Sequence, residues 1–251
     1  DISADLLSID FGNQKEPFLL VDIGTNTEVV FGNAGKYLAA SCPAGPAFEG
    51  GGVTYAMPGY SGAIEHIRFN CDSSVDYDVI DKKPPIGICG SGLIDLIAGL
   101  IKKGSMNELG VLQNNSKEYE FSDINNLTVS RSDLSALAQA KAANYCGQAI
   151  VIKKSGLKIS EIKNLFLAGG FANYIDIKNA VDIGFIANLD LNKISKIGNA
   201  SLVGATIMLL STDSRRKIES LTKNIEHIEL ETVPEFFEFF VEGCQFKPMN
   251  I

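Results

Sequence analysis

An acid, a glycine turn and a run of hydroxyl and amide side chains stand together at Val21-Asp22-Ile23-Gly24-Thr25-Asn26-Thr27-Glu28. A carboxylate at the end of an apolar run can attract Mg²⁺. The turn beside it offers backbone N–H groups and the Thr25, Asn26 and Thr27 side chains to a phosphate. Two more glycine turns follow apolar runs, Gly90-Ser91-Gly92 and Gly169-Gly170-Phe171. The first of these opens an apolar helical stretch, Leu93 to Ile101, so its N–H groups and the helix dipole suit a second phosphate. The other has no charge nearby and suits a base or ribose. The three turns imply a nucleotide cleft with the base at one end and Mg²⁺ near Asp22.

Three acids are candidate catalytic residues: Asp22 itself, Glu49 before Gly50-Gly51-Gly52, and Glu28. Glu49 could orient a water for attack on a γ-phosphate, and Glu28 competes for that role. Asp95, inside the helix after the second turn, could reach the metal. Plainer readings stand beside these: Asp22 as a turn-capping carboxylate, Glu49 as a helix-start acid, Asp95 as a buried capping acid, and the glycines as ordinary turns. His66, His227 and Cys89 have no partner motif and read as structural.

The elements that must position these groups follow from pattern. Leu19 to Ile23 is a β-branched apolar run, and Thr27 to Phe31 folds back on it as a hairpin. Asn33-Ala34-Gly35-Lys36 is a second turn leading to a strand over Tyr37 to Cys42, so three antiparallel strands are expected early. Ala63 to Phe69 and Tyr77 to Ile80 read as short strands, and Ser105 to Thr128 as polar surface loop. Leu134, Ala138, Ala142, Tyr145, Ala149 and Ile152 share one helical face, with Gly156 as a stop. Ile162 to Leu167 reads as a buried strand, Ala200 to Leu210 as a helix capped by Asn199, Glu226 to Thr232 as a strand, and Pro234 to Glu242 as a last helix. The phenylalanines Phe236 to Phe240 suit core or a homodimer contact.

Composition narrows the class. Of 251 residues 45% are hydrophobic, enough for a sizeable core, and the net charge of −8 argues against nucleic-acid or anionic-lipid binding. No apolar run reaches membrane-span length. The five cysteines, Cys42, Cys71, Cys89, Cys146 and Cys244, are widely spaced and suit a reducing cytoplasm. The chain begins at Asp1 without a Met and reads as a fragment lacking upstream sequence.

The strand, Asp-x-Gly-Thr turn and strand resemble the first phosphate loop of the actin-like, sugar-kinase and chaperone ATPase superfamily. A Walker A loop would need Gly-Lys-Ser/Thr and a helix instead. Five ordered motifs extend this likeness: Val21 to Glu28, Ala44 to Gly50, Gly62 to Glu65, Gly87 to Asp95, and Leu167 to Phe171. From about Leu20 to Leu210 the chain is similar to the ATPase domain of the reductive activators of corrinoid proteins. The resemblance implies a two-lobed α/β fold with mixed sheets and an interlobe nucleotide cleft, the first lobe over residues 1–85 and the second over 86–251. It implies ATP and Mg²⁺ as cofactors, and a corrinoid protein of a methyltransferase system as partner, reduced from Co(II) to Co(I). In that family a ferredoxin-like domain with a [2Fe–2S] cluster precedes the ATPase domain. Its C-x₄-C-x₂-C spacing is absent here, so the electron-carrying half would lie upstream. Two alternatives remain open: a small-molecule kinase of the same superfamily, and a nucleotide-binding interaction module without turnover.

Overall fold

The computed structural model describes residues 1–43, 46–70 and 74–251. Ala44 and Gly45, at the head of one motif, and Cys71 lie outside the described residues. A short helix, α1 (Ile2–Ser8), precedes the three opening strands β1 (Phe18–Ile23), β2 (Asn26–Asn33) and β3 (Lys36–Pro43). These pair antiparallel in succession, Asp22 opposite Glu28 and Thr27 opposite Cys42. A smaller sheet follows, made of β4 (Ala63–Phe69), β5 (Val75–Val79) and β6 (Gly87–Ile88), and the chain then enters α2 (Gly90–Lys102). The stretch expected as loop from Ser105 to Thr128 instead carries most of a hairpin, β7 (Glu118–Ser122) and β8 (Leu127–Ser130), whose Phe121, Leu127 and Val129 are buried. Alternating apolar residues among Asn and Ser were enough to hold strands there.

The long helix α3 (Arg131–Ser155) opens on a capping box, Ser130 with Asp133, and ends at Gly156 in the left-handed conformation. After it come β9 (Asn164–Ala168), α4 (Ile177–Asp182), β10 (Ile194–Gly198), α5 (Ala200–Leu210), α6 (Thr212–Thr222), β11 (Ile225–His227) and α7 (Phe236–Gly243). The strand expected over Glu226 to Thr232 is thus three residues of β11 and then a 3₁₀ turn at Leu230–Thr232.

The large sheet has six strands in the order β10-β9-β1-β2-β3-β11. β9 runs parallel to β1, with Asp22 opposite Ala168. Both sheets take strands from either side of the division expected between residues 85 and 86. β1 pairs β9 in one sheet and β4 pairs β6 in the other, because long-range parallel pairing ignores chain order.

β1 is buried along its whole length, and its alternation sorts two cores. Leu19, Val21 and Ile23 join one cluster with Leu134, Tyr145, Ile152 and other residues of α3. Phe18 and Leu20 join another with Leu6, Leu7, Ile218 and Leu221, from α1 and α6. Asp22 therefore faces the α1 side. α2 buries Leu93, Ile94, Leu96, Ile97 and Leu100 completely. At about 1.5–3 kcal/mol each, these hold the helix on the small sheet. At Gly92 a Cβ would lie 2.6 Å from the Ile64 carbonyl oxygen, so the helix start packs directly on β4. No helix among the described residues is long and apolar enough to cross a membrane.

Candidate functional site

The parallel pairing of β1 and β9 brings two turns separated by over a hundred residues into contact. Gly169 follows β9 with φ +100, and a Cβ there would lie 2.2 Å from the Ile23 carbonyl oxygen and 2.9 Å from Asp22 Oδ1. Only glycine lets the ends of the two strands meet this closely. Gly169 N–H also donates to the Gly198 carbonyl at 3.0 Å, which adds the end of β10 and the start of α5.

Asp22 is almost fully buried. Ser201, in the first turn of α5, stands 3.5 Å from Asp22 Oδ2 and donates to Asp5 Oδ1 at 2.8 Å. Asp5, on α1, is fully buried, and its Oδ2 meets no donor among the described residues. Burial pushes the Asp5 carboxyl up to about 7; Ser201 opposes the rise and the neighbouring Asp22 adds to it. A proton on Asp5 would let Oδ2, which meets no donor, act as a donor itself beside the Ser201 hydroxyl. Burial, and then Asp22, also raise Glu28, which accepts from Ser41 Oγ at 3.3 Å. Asp5 and Ser201 were missed by sequence reasoning. Neither belongs to a motif, and only the packing of α1 and α5 over β1 carries them to Asp22.

The hairpin turn behaves unevenly. Thr25 and Asn26 are exposed at its tip, but Thr27 is fully buried and pairs with Ile23 on the face opposite Asp22. Its hydroxyl is therefore not available to a ligand at the tip, contrary to expectation. Gly24 N–H is already committed to the Asn26 carbonyl at 2.9 Å.

A cleft of about 980 Å³ opens between the small sheet and the turn after β9, lined in part by Phe48, Glu49, Gly90, Ser91, Gly170 and Phe171. Gly170 leaves open space where a Cβ would stand. The first bond inside α2 runs from Leu93 N–H to the Cys89 carbonyl, which leaves the Gly90, Ser91 and Gly92 N–H groups without intrahelical partners. The Ser91 hydroxyl, however, is nearly buried and donates to the Glu65 carbonyl at 2.9 Å. At Gly90 a Cβ would lie 2.2 Å from the Phe171 ring, so that glycine is required by packing as well. Glu49 is exposed at the cleft.

Asp95 takes a structural part in place of the metal role expected for it. Buried on α2, it faces His66 Nδ1 at 2.9 Å and accepts from Asn179 Nδ2 at 2.7 Å and, more weakly, from Ile67 N–H at 3.4 Å. These contacts tie α2 to β4 and α4 and leave the carboxylate little spare capacity. Of the described cysteines, Cys42, Cys89 and Cys146 are buried, and burial pushes the Cys42 and Cys146 thiols up to about 12.

Two groups thus share one wall through the adjacent residues Gly169 and Gly170: an acidic end around Asp22 and a mostly apolar cleft at Phe171. Asp22 could bind a hard cation together with waters and phosphate oxygens, and the cleft could receive a flat ring.

Comparison with known proteins shows the family and the fold. Residues 16–251 match the family model described as the C-terminal domain of RACo, the ASKHA domain. The corrinoid activation enzyme RamQ of Eubacterium limosum is 33% identical over an alignment 272 positions long, covering 98% of this chain and 46% of that protein. The [Co(II) methylated amine-specific corrinoid protein] reductase of Methanosarcina barkeri is 25% identical, covering 96% of this chain and 48% of that protein. A solved structure of a reductive activator for corrinoid, iron–sulfur protein superposes with a TM-score of 0.85 at 33% identity, over 98% of this chain and 42% of the other. The chain thus spans about half the length of the curated relatives it matches. With an α/β fold of mixed sheets and a match over nearly its whole length, this chain belongs to the family of the RACo C-terminal ASKHA domain.

Proposed function

We propose that this chain is the ATP-binding and hydrolysing part of a reductive activator that returns a corrinoid protein from Co(II) to Co(I). The contact between Gly169 and Asp22 carries the reading, because it joins an acid suited to Mg²⁺ to a turn suited to a nucleoside. The base and ribose lie in the cleft against Gly170 and Phe171. The phosphates run past Gly169 toward Asp22, within reach of Thr25 and Asn26 at the hairpin tip. Asp22 would hold Mg²⁺, and the ion would neutralise charge on the phosphates. Glu49 and Glu28 remain the candidates for orienting the attacking water.

The partner is a corrinoid protein, as the names of the relatives suggest; that it serves a methyltransferase system and that the electron comes from a [2Fe–2S] domain upstream are what the family resemblance implies. For a one-electron step about 59 mV corresponds to about 1.4 kcal/mol, so a few kcal/mol of nucleotide-linked energy moves the equilibrium by on the order of a hundred millivolts. Phosphate release from MgATP without an added acceptor tests the reading. Release that appears only with a small-molecule hydroxyl acceptor favours a kinase, and nucleotide binding without any release favours an interaction module.

A further inference from the structure

α3 buries three polar side chains completely: Lys141, Asn144 and Gln148. Their spacing puts them on one helical face. Burying such groups is costly unless they are hydrogen-bonded, and each is bonded to the irregular segment 183–187. Lys141 Nζ donates to the Ile183 carbonyl at 3.0 Å and to the Gln245 carbonyl at 2.7 Å. Asn144 Nδ2 and Gln148 Nε2 both donate to the Phe185 carbonyl, the latter at 3.0 Å. Ala187 N–H donates back to Gln148 Oε1 at 2.9 Å. Gly184 is covered closely on the Lys141 side, where a Cβ would lie 2.2 Å from the Lys247 carbonyl oxygen and 3.3 Å from Lys141 Nζ. The backbone of Phe185 is thereby fixed by bonds from two side chains of α3, with Lys141 holding the neighbouring Ile183.

Its ring is buried and meets two others edge-on, Phe48 with centroids 5.2 Å apart and Phe171 with centroids 5.9 Å apart. Phe48 and Phe171 line the cleft, and Phe185 does not. Phe171 belongs to a single 3₁₀ turn, so its ring is located by Phe185 on one side and by Gly90 on another.

We infer that Phe185, held by Lys141, Asn144 and Gln148, is a positioning residue that sets where the Phe48 and Phe171 rings stand at the nucleoside end of the cleft. The inference rests on the reading that the nucleoside lies against Gly170 and Phe171. A ladder that merely satisfied backbone groups would change stability on mutation without changing which ligand is preferred.

The test compares MgADP with magnesium tripolyphosphate, which has the phosphates and no nucleoside, by calorimetry on the 251-residue chain. Phe185→Leu removes the edge-on ring contacts, and Phe185→Met, closer in volume, keeps the test alive should the leucine variant not fold. Either should weaken MgADP by about three- to tenfold, the worth of one aromatic pair, and leave tripolyphosphate unchanged. Gln148→Met, which strips two bonds from the 185–187 backbone, should act in the same direction. Unchanged MgADP affinity in the folded variants, or an equal loss for both ligands, overturns the inference. If the wild type itself binds tripolyphosphate as tightly as MgADP, the nucleoside reading fails and takes this inference with it. A wild-type preference for MgADP that is undiminished in the variants defeats the inference alone.

Discussion

Gly169 and Gly170 are neighbours with opposite expected roles, and replacing each by alanine separates them. At Gly169 the alanine would sit at φ +100, with its Cβ 2.2 Å from the Ile23 carbonyl oxygen and 2.9 Å from Asp22 Oδ1. Strained backbone of this kind costs on the order of 1–3 kcal/mol. Forcing packed strand ends apart adds about 1–3 kcal/mol. Gly169→Ala should therefore lose about 2–6 kcal/mol, and at about 2–4 °C per kcal/mol for a chain this size the melting temperature should fall by about 4–24 °C. Gly170 has φ −61, and a Cβ there meets nothing within 4 Å. Gly170→Ala should keep its stability within about 0.5 kcal/mol. Its methyl group would enter the space assigned to the nucleoside, so MgADP affinity should fall, and Gly170→Val should lower it further. Urea denaturation of both variants, with MgADP calorimetry at a temperature where both are folded, checks the pair. Gly169→Ala as stable as wild type would refute the close strand-end contact, and Gly170→Val with unchanged affinity would refute the nucleoside placement.

Three further outcomes are expected. Asp22→Asn should reduce Mg²⁺-dependent phosphate release by about tenfold or more while weakening nucleotide binding less, since the amide preserves shape but loses the charge that favours the ion; unchanged release in steady-state assays would move the metal elsewhere. Because the folded pKa of Asp5 is raised from 3.8 to about 7, its contribution to stability is full below about pH 4 and is lost as pH rises through about 7. Denaturation in EDTA should show wild type losing more stability from pH 5 to pH 8 than Asp5→Asn, and parallel profiles would refute the buried carboxyl pair. Spectroscopy should show no Co(I) formed by the 251-residue chain with MgATP and a low-potential reductant, whereas a longer chain with an upstream iron–sulfur domain should form it; reduction by the short chain alone would overturn that division of labour.

Much of the framework was legible because local pattern and burial coincide. The hairpin of β1 and β2, the strand Ala63–Phe69 and the helix Ala200–Leu210 stand where apolar periodicity and capping residues put them. The hairpin over 118–130 was harder to see, since its few apolar residues lie among Asn and Ser, and the end of the 226–232 segment turned because three residues of pairing with β3 are all that β11 has. By itself the sequence determined which residue types could meet phosphate, metal and base, since a turn's chemistry is carried by its own neighbours. Only the tertiary structure decided their use. Strand alternation sent Thr27 to the face away from Asp22, helix packing bound Asp95 to His66 and Asn179, and the docking of α1 and α5 brought Asp5 and Ser201 to Asp22. The physical reason is that register, face and long-range parallel pairing are set by burial of the whole chain, which no short motif encodes.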